Sequence, residues 1–415
     1  PELAEVQANL PTQDGLVFAY ANTAGVVDGL DPQIKDAIRS MSPVLQDEAA
    51  WKMHVGAIGW ADANGFRLDT IAIGANGYDL SKIAPPNQAL TVDQKVPADT
   101  LLFLGGYQLP GAWNSLALSL SQAVNEGMAE MGTPVAMPVA TPATVRDILS
   151  SDYVAQQIHA AEAVLGFNAR DDFFGQFQGE YVFALGAPSF GAGGVDLAAL
   201  FATDLGDPST VATSVDKIAR LIGSVAIKNS TTTTIAERQV GADKVYSIKD
   251  SSMPNLPIEF GIVDGHFVLG VGKGVDNFVG GATSNLASNP QYQQVMALLP
   301  SDHYGVVYVD LKQIVTLVTS FSGMGGAAMR DADAACANFP DQAAAQAAYD
   351  ADPMTNMNLD QNFNGQACED FFAAPGATPE AAAGGLANLE AFGETEFVRD
   401  GMIGSSAILV IGGGS

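Results

Sequence analysis

Asp360, Asn362, Asn364 and Gln366 alternate along the stretch DQNFNGQACEDF, with Gly365 between the last two. Hard oxygen donors at alternate positions of a turning loop can wrap one cation, and the glycine falls where an EF-hand-like loop turns most sharply. Position 12 of such a loop supplies a bidentate glutamate, but here it is Phe371. Glu369 or Asp370 could replace it only in a different geometry. A calcium-binding turn is one reading of these residues, and a plain Asn/Asp-rich turn is the other. Two cysteines, Cys336 and Cys368, share this Ala/Asp/Asn-rich segment. Their polar, loop-like surroundings predict a disulfide, although two reduced core thiols would fit the same count.

Other stretches have the outline of a site and lack its substance. Ser214-Val-Asp-Lys217 matches a Ser-x-x-Lys pattern in which lysine helps to activate serine. Its partner motifs are missing, so it reads as a solvated helix face. GVGKGVDNFVGG, from Gly270, has glycines at a strand-to-helix junction but fits neither phosphate-loop spacing, and it reads as a turn. His54, His159, His266 and His303 are far apart in sequence, with no zinc-type spacing among them. No catalytic residue and no bound cofactor other than calcium is expected.

Composition narrows the classes further. At 415 residues the chain can bury a large core, and its 47% apolar content argues against disorder. Its 46 acidic residues against 18 basic ones give a formal charge of −28, which repels phosphate backbones and anionic headgroups. Nucleic acid is therefore excluded as a partner. No apolar run reaches the roughly 18 residues of a membrane span. The opening PELAEVQANL does not look like a signal peptide, and a start at Pro1 suggests that an export signal or anchor has been removed. An extracellular or cell-surface location is expected, the periplasm included.

The elements that would position any site recur. LPTQDGLVFAYAN from Leu10, VPADTLLFLGGY from Val96 and LPSDHYGVVYVDL from Leu299 each set an aliphatic residue, a proline and an Asp step before an apolar strand. Each strand leads into a helix-like segment. Glycine turns at Asn64-Gly65, Asp264-Gly265 and Asp400-Gly401 predict hairpins. The expected architecture is α+β, with repeated β-α-β-β units forming antiparallel sheets and helices packed on one face. The chain divides as an N-terminal unit and linker (1–95), a central elaborated domain (96–298) and a C-terminal unit (299–415) with a Cys-bearing insertion over about 323–385.

LGFNARDDFFGQFQGEYVFAL, KVYSIKDSSMPNLPIEFGIVDGHFVLGVG and LASNPQYQQVMALLPSDHYGVVYVDL resemble an uncharacterised bacterial family, domain of unknown function 3352. Its members look like secreted or membrane-anchored proteins, common in filamentous phototrophs and cyanobacteria. The shared motifs are structural: a Gly-Gly-Glu-like step (here Gln178-Gly179-Glu180), the Asp-Gly hairpin and the Leu-Pro strand entry. The resemblance carries over no activity and no catalytic residue, and the Cys-bearing insertion departs from the family pattern. The function expected is therefore non-catalytic: assembly or adhesion at the cell surface, with itself or other surface components as partners. Glycine-rich edges at Gly191–Gly194 and Gly412–Gly414 would serve self-pairing. The alternatives are a carrier for a lipid or other apolar ligand, and a hydrolase whose site is assembled from distant residues.

Overall fold

Strand-forming runs separated by tight turns need partners for their backbone groups, and here almost all of them find those partners in one sheet. The computed structural model describes all residues except 1, 13–14, 33–34, 36–46, 108–161, 192–193, 230–231, 281–283, 318–335, 337–338, 352–358, 360–366, 369–371, 373–387 and 413–415. The described residues form two compact units. The larger comprises 1–309 with 391–410, and the smaller 310–390 with 411–415.

The larger unit is α+β, built on a thirteen-stranded antiparallel sheet. One half holds β1 (Val17–Asn22), β2 (Met53–Asp62), β3 (Gly65–Gly74), β15 (Met402–Ile411), β14 (Leu389–Arg399) and β13 (Gly305–Val309), in that spatial order. The sheet continues through β4 (Thr100–Tyr107), β5 (Phe177–Gly186), β8 (Ala198–Leu205), β12 (His266–Gly272), β11 (Ile258–Val263), β10 (Asp243–Asp250) and β9 (Thr233–Val240). Strands from all three sequence segments are thus bonded in one sheet. A separate ribbon pairs β6 (Ser189–Gly191) with β7 (Gly194–Asp196). The edges of the large sheet are β1 and β9. Of the glycine-rich ends expected to be edges, the one near Gly412 is not: β15, which precedes it, runs inside the sheet between β3 and β14.

The core forms where helices meet the sheet. Val182, Ala184, Leu200, Val268, Val306 and Tyr308 alternate with outward residues and pack beneath the helices Gly274–Gly280 and Pro290–Ala297. On the opposite face the long amphipathic helix Pro208–Asn229 covers β9 to β12, with Phe173, Phe174 and Phe177 wedged beside it. The Phe173 and Phe177 rings meet Phe267 edge-on and stacked at centroid distances of 5.3 and 5.2 Å, the geometry in which aromatic quadrupoles attract. Inside the core, Glu259 is buried and pairs with Arg238, which also holds Asp276.

Two helices come so close to the sheet that only glycine fits beneath them. A Cβ on Gly56 of β2 would lie 2.1 Å from Val6 Cγ1 and 3.2 Å from Leu10 Cδ1. A Cβ on Gly393 of β14 would lie 2.2 Å from Val295 Cγ1 and 3.2 Å from Leu299 Cδ1. In both places valine and leucine four residues apart straddle the glycine, as one helix face dictates. Gly393→Ala is therefore expected to cost about 1–3 kcal/mol through overpacking. Val295→Ala in the same chain should return much of that loss, and urea unfolding of the two single variants and the double variant measures the coupling.

Candidate functional site

The described residues gather their charged and polar side chains most densely at one end of β5, β8 and β12. The arrangement begins with Gly179, whose φ of +89° lies in the left-handed region. A Cβ there would sit 2.7 Å from Asp204 Oδ2. Glycine allows β5 to shift register against β8 between Phe177 and Tyr181. The Glu180 amide then donates to Asp204 Oδ2 at 2.9 Å. The Glu180 carboxylate is buried, and it accepts from the Thr91 amide (2.5 Å), Thr91 Oγ1 (2.6 Å) and the Val92 amide (3.0 Å). It thereby caps the short helical turn Val92–Gln94, for which the residue at the N-cap, Thr91, provides no side-chain cap.

Asp204 faces His266, with Oδ1 2.9 Å from Nε2. The other ring nitrogen, Nδ1, lies 2.9 Å from the Asp264 carbonyl, which can only accept, so Nδ1 carries a hydrogen. Lys95 Nζ is 3.4 Å from His266 Nε2 and 4.9 Å from the centre of the Phe278 ring. Burial alone would raise the pKa of Asp204, but His266 and the Glu180 amide outweigh it and hold the carboxyl below its usual value. Burial and the neighbouring Glu180 push Asp93 the other way, and its Oδ1 is buried without a hydrogen-bond partner.

This cluster contains an acid–base pair. The Glu180 carboxylate and Asp204 Oδ2 are taken up by the chain's own amides and a hydroxyl, and Thr91 Oγ1 is committed to Glu180. What the geometry does is join β5, β8, β12 and the turn at Val92 into one clamp.

The residues singled out from sequence lie elsewhere. Ser214 is buried, not solvated as the Ser-x-x-Lys reading required. The helix turns it toward the sheet beside Val211 and Val215, and its Oγ reaches the Asp172 and Thr210 carbonyls at 3.4 Å. Lys217 Nζ donates to the Gly166 carbonyl, so the pair is not assembled for chemistry. Gly274, in the glycine-rich stretch, lets the strand-to-helix junction approach the Ala199 carbonyl, 2.0 Å from where a Cβ would be. His54 Nδ1 lies 2.9 Å from the Tyr20 hydroxyl, and His303 Nδ1 2.9 Å from the Pro300 carbonyl. His159 is outside the described residues. Among the described residues no three His, Cys, Asp or Glu side chains group to hold a metal. Asp360, Asn362, Asn364 and Gln366 lie outside the described residues.

In the smaller unit Cys336 and Cys368 form a disulfide, with S–S 2.15 Å, packed with Ala345, Leu359 and Ala367. The Cys368 amide donates to the Leu359 carbonyl at 2.7 Å, and Gln346 Oε1 accepts from the Ala367 amide at 2.8 Å. A disulfide is compatible with a place outside the cytosol. No described helix is long and apolar enough to cross a membrane.

The family model described as "Protein of unknown function (DUF3352)" matches residues 1–324, and the chain belongs to this family. No curated protein and no solved structure matches it. The Gln178-Gly179-Glu180 step that carried part of the resemblance is the clamp's starting point. Sequence reading singled out that step and missed Asp204, Lys95 and the role of His266, which lie on other elements.

Two outcomes are expected. Asp204 has a lowered pKa in the fold, so its contribution to stability is present above its unfolded pKa and lost as pH falls through the folded one. The stability gap between wild type and Asp204→Asn should therefore shrink from about pH 5 to about pH 3, as urea unfolding at each pH would report. Peptide mapping without reductant should recover Cys336 and Cys368 in one linked species. Reduction should remove about 3–4 kcal/mol from the smaller unit in the chain-entropy view.

Proposed function

We propose that the protein is a non-catalytic component of the cell surface or extracellular space that acts in assembly or adhesion. In this reading it associates with itself through an open edge of its sheet. The observation that carries the reading is β1, which lies at the end of the sheet with all six residues exposed. Leu16 is 69% exposed and Val17 60%, on a segment (LVFAYAN) without a single charge. An uncharged edge strand without proline offers a ready row of backbone donors and acceptors to another strand.

The same reading takes the β-α-β-β unit as the repeat from which the body is built. The paired packing of Val6 and Leu10 on Gly56, and of Val295 and Leu299 on Gly393, supports it. Each of these helices runs into Leu-Pro and then a strand. The alternative of an apolar-ligand carrier has less support. One cavity of about 290 Å³ lined by described residues sets the charged Lys52, Asp79 and Lys82 beside Asn76, Tyr78 and small residues, with no large aliphatic side chain, whereas an apolar guest needs mainly apolar walls. For the hydrolase alternative, no free nucleophile lies beside the Asp204–His266 pair among the described residues.

The test follows from the hydrogen-bond alternation of β1. The Thr23 amide donates to the Met53 carbonyl at 3.0 Å, so the amides at Tyr20 and Phe18 point away from β2. Phe18→Pro leaves the β1–β2 ladder intact and blocks the outer one. Sedimentation velocity should show wild-type oligomers that grow as added salt or calcium screens the negative charge, and Phe18→Pro should stay monomeric under the same conditions. A wild-type monomer throughout would overturn the reading.

A further inference from the structure

The central strands are apolar on both faces, as strands covered on both sides are. Helices cover one face, where Phe103, Val182 and Leu200 are buried. On the other face the register aligns Val307, Leu104, Phe183, Phe201 and Leu269 in one row across β13, β4, β5, β8 and β12. A second row, Val309, Leu102, Leu185 and Ala199, runs beside it. Neither row contains a charge. Leu104 is 37% exposed, Phe183 41% and Leu269 41%, so large apolar side chains meet water in the middle of a sheet.

At the β14 border the chemistry changes. Glu394 is in register with Val307 and Glu396 with Gly305, which puts both glutamates on this face. Glu396 Oε2 lies over Gly305, 2.9 Å from where its Cβ would be, and the Tyr181 hydroxyl lies over the neighbouring Gly106 at 3.0 Å. Neither glutamate side chain makes an ion pair or hydrogen bond among the described residues. The surrounding protein and the Glu394 charge raise the pKa of Glu396, so the pair lacks a cation to relieve it. The Val307 row ends at Glu394, Glu396 follows two residues along β14 opposite Gly305, and the Val309 row continues to Phe392, so the face describes its occupant by complement: apolar along its length and basic where it meets the two glutamates. A second copy offering this same face would bring no Lys or Arg from these rows, and it would set acidic pairs against one another or against apolar side chains.

We propose that this face docks a polypeptide segment of a partner protein, amphipathic and carrying Lys or Arg where it meets Glu394 and Glu396. The inference goes beyond self-assembly and uses neither the β1 edge nor the clamp. The occupant's apolar side would lie on the Leu104, Phe183 and Leu269 row. Its cation would bridge the two carboxylates as water leaves.

The test uses the full chain and a synthetic amphipathic Leu/Lys peptide, followed by fluorescence anisotropy at physiological salt. Glu394→Gln with Glu396→Gln should weaken binding about tenfold, because a desolvated charge pair is lost. Leu104→Ser with Phe183→Ser should weaken it comparably, and a Leu/Glu peptide of the same pattern should not bind. A control that neutralises two other exposed acids, Glu5→Gln with Asp99→Asn, should leave affinity unchanged, since the peptide is not simply drawn to an acidic protein. The glutamine pair is near-isosteric and changes one half-buried and one exposed side chain, so it remains informative even where the serine pair unfolds. Equal losses in the control and the glutamine pair would overturn the proposal, as would no binding by the full chain. So would neutral phosphatidylcholine vesicles binding in place of the peptide and being lost with the same substitutions, or a wild-type dimer that the Leu104→Ser/Phe183→Ser variant abolishes.

Discussion

Close approach of helix to strand sets the thickness of this molecule, and the arrangement of the sheet follows from it. Where Val6 or Val295 rests on a bare backbone at Gly56 or Gly393, dispersion contacts replace water over the whole helix face. One methyl group at either glycine would lift the helix and open a gap along it. Apolar burial of that kind is non-directional, so it can hold a very wide sheet together without dictating its ends. The chain spends its helices on one face and on the β9 to β12 end of the other. The middle of the second face and the β1 edge are left to something else.

Directional interactions then fix what burial leaves loose. The Glu180 carboxylate takes three donors from Thr91 and Val92, which ties the segment before β4 to the far side of β5. A buried carboxylate is costly unless its lone pairs are filled, and here the backbone fills them. Arg238 does comparable work from β9, reaching Glu259 on β11 and Asp276 on the helix Gly274–Gly280. Such pairs contribute little net stability against a well-packed apolar alternative. They do make one strand order distinguishable from a slipped one, and that matters in a sheet whose central strands are apolar on both faces.

What could be read in the sequence was local. Asp264-Gly265 and Asp400-Gly401 both have positive φ at both residues, so the two hairpins form as their turn chemistry requires. Asn64-Gly65 makes its hairpin differently: only Gly65 is left-handed, and Asp62 accepts from the Asn64 amide at 2.7 Å. The helix from Pro208 and the strands near Lys244, Ile258 and Phe267 fall close to their expected places. The pairings β3–β15 and β13–β4 were not legible, because they join residues about 200 and more than 300 positions apart and no short-range pattern encodes such pairing. The site was hidden for the same reason. Glu180, Asp204 and His266 come from three strands, and nothing in the spacing of any one of them points to the others. Ser214 was misread because a lone serine within an amphipathic helix looks polar, while its neighbours Val211 and Val215 decide which way it faces.

The two edges of the sheet are not equivalent. β9 carries Glu237 and Arg238, and charged side chains on an edge strand discourage a further strand from joining it. β1 carries no charge at all. Adding β1 of one molecule to β9 of the next would generate an open, growing sheet, and the charges on β9 oppose that. Pairing β1 with β1 of a second copy is isologous, so it closes after one step and leaves the protected edges outward. A protein with a formal charge of −28 gains from this difference, since each added copy in an open array would bring its full repulsion with it. Edge chemistry and net charge thus both favour a closed pair over a fibre, with the apolar central face still free on each member.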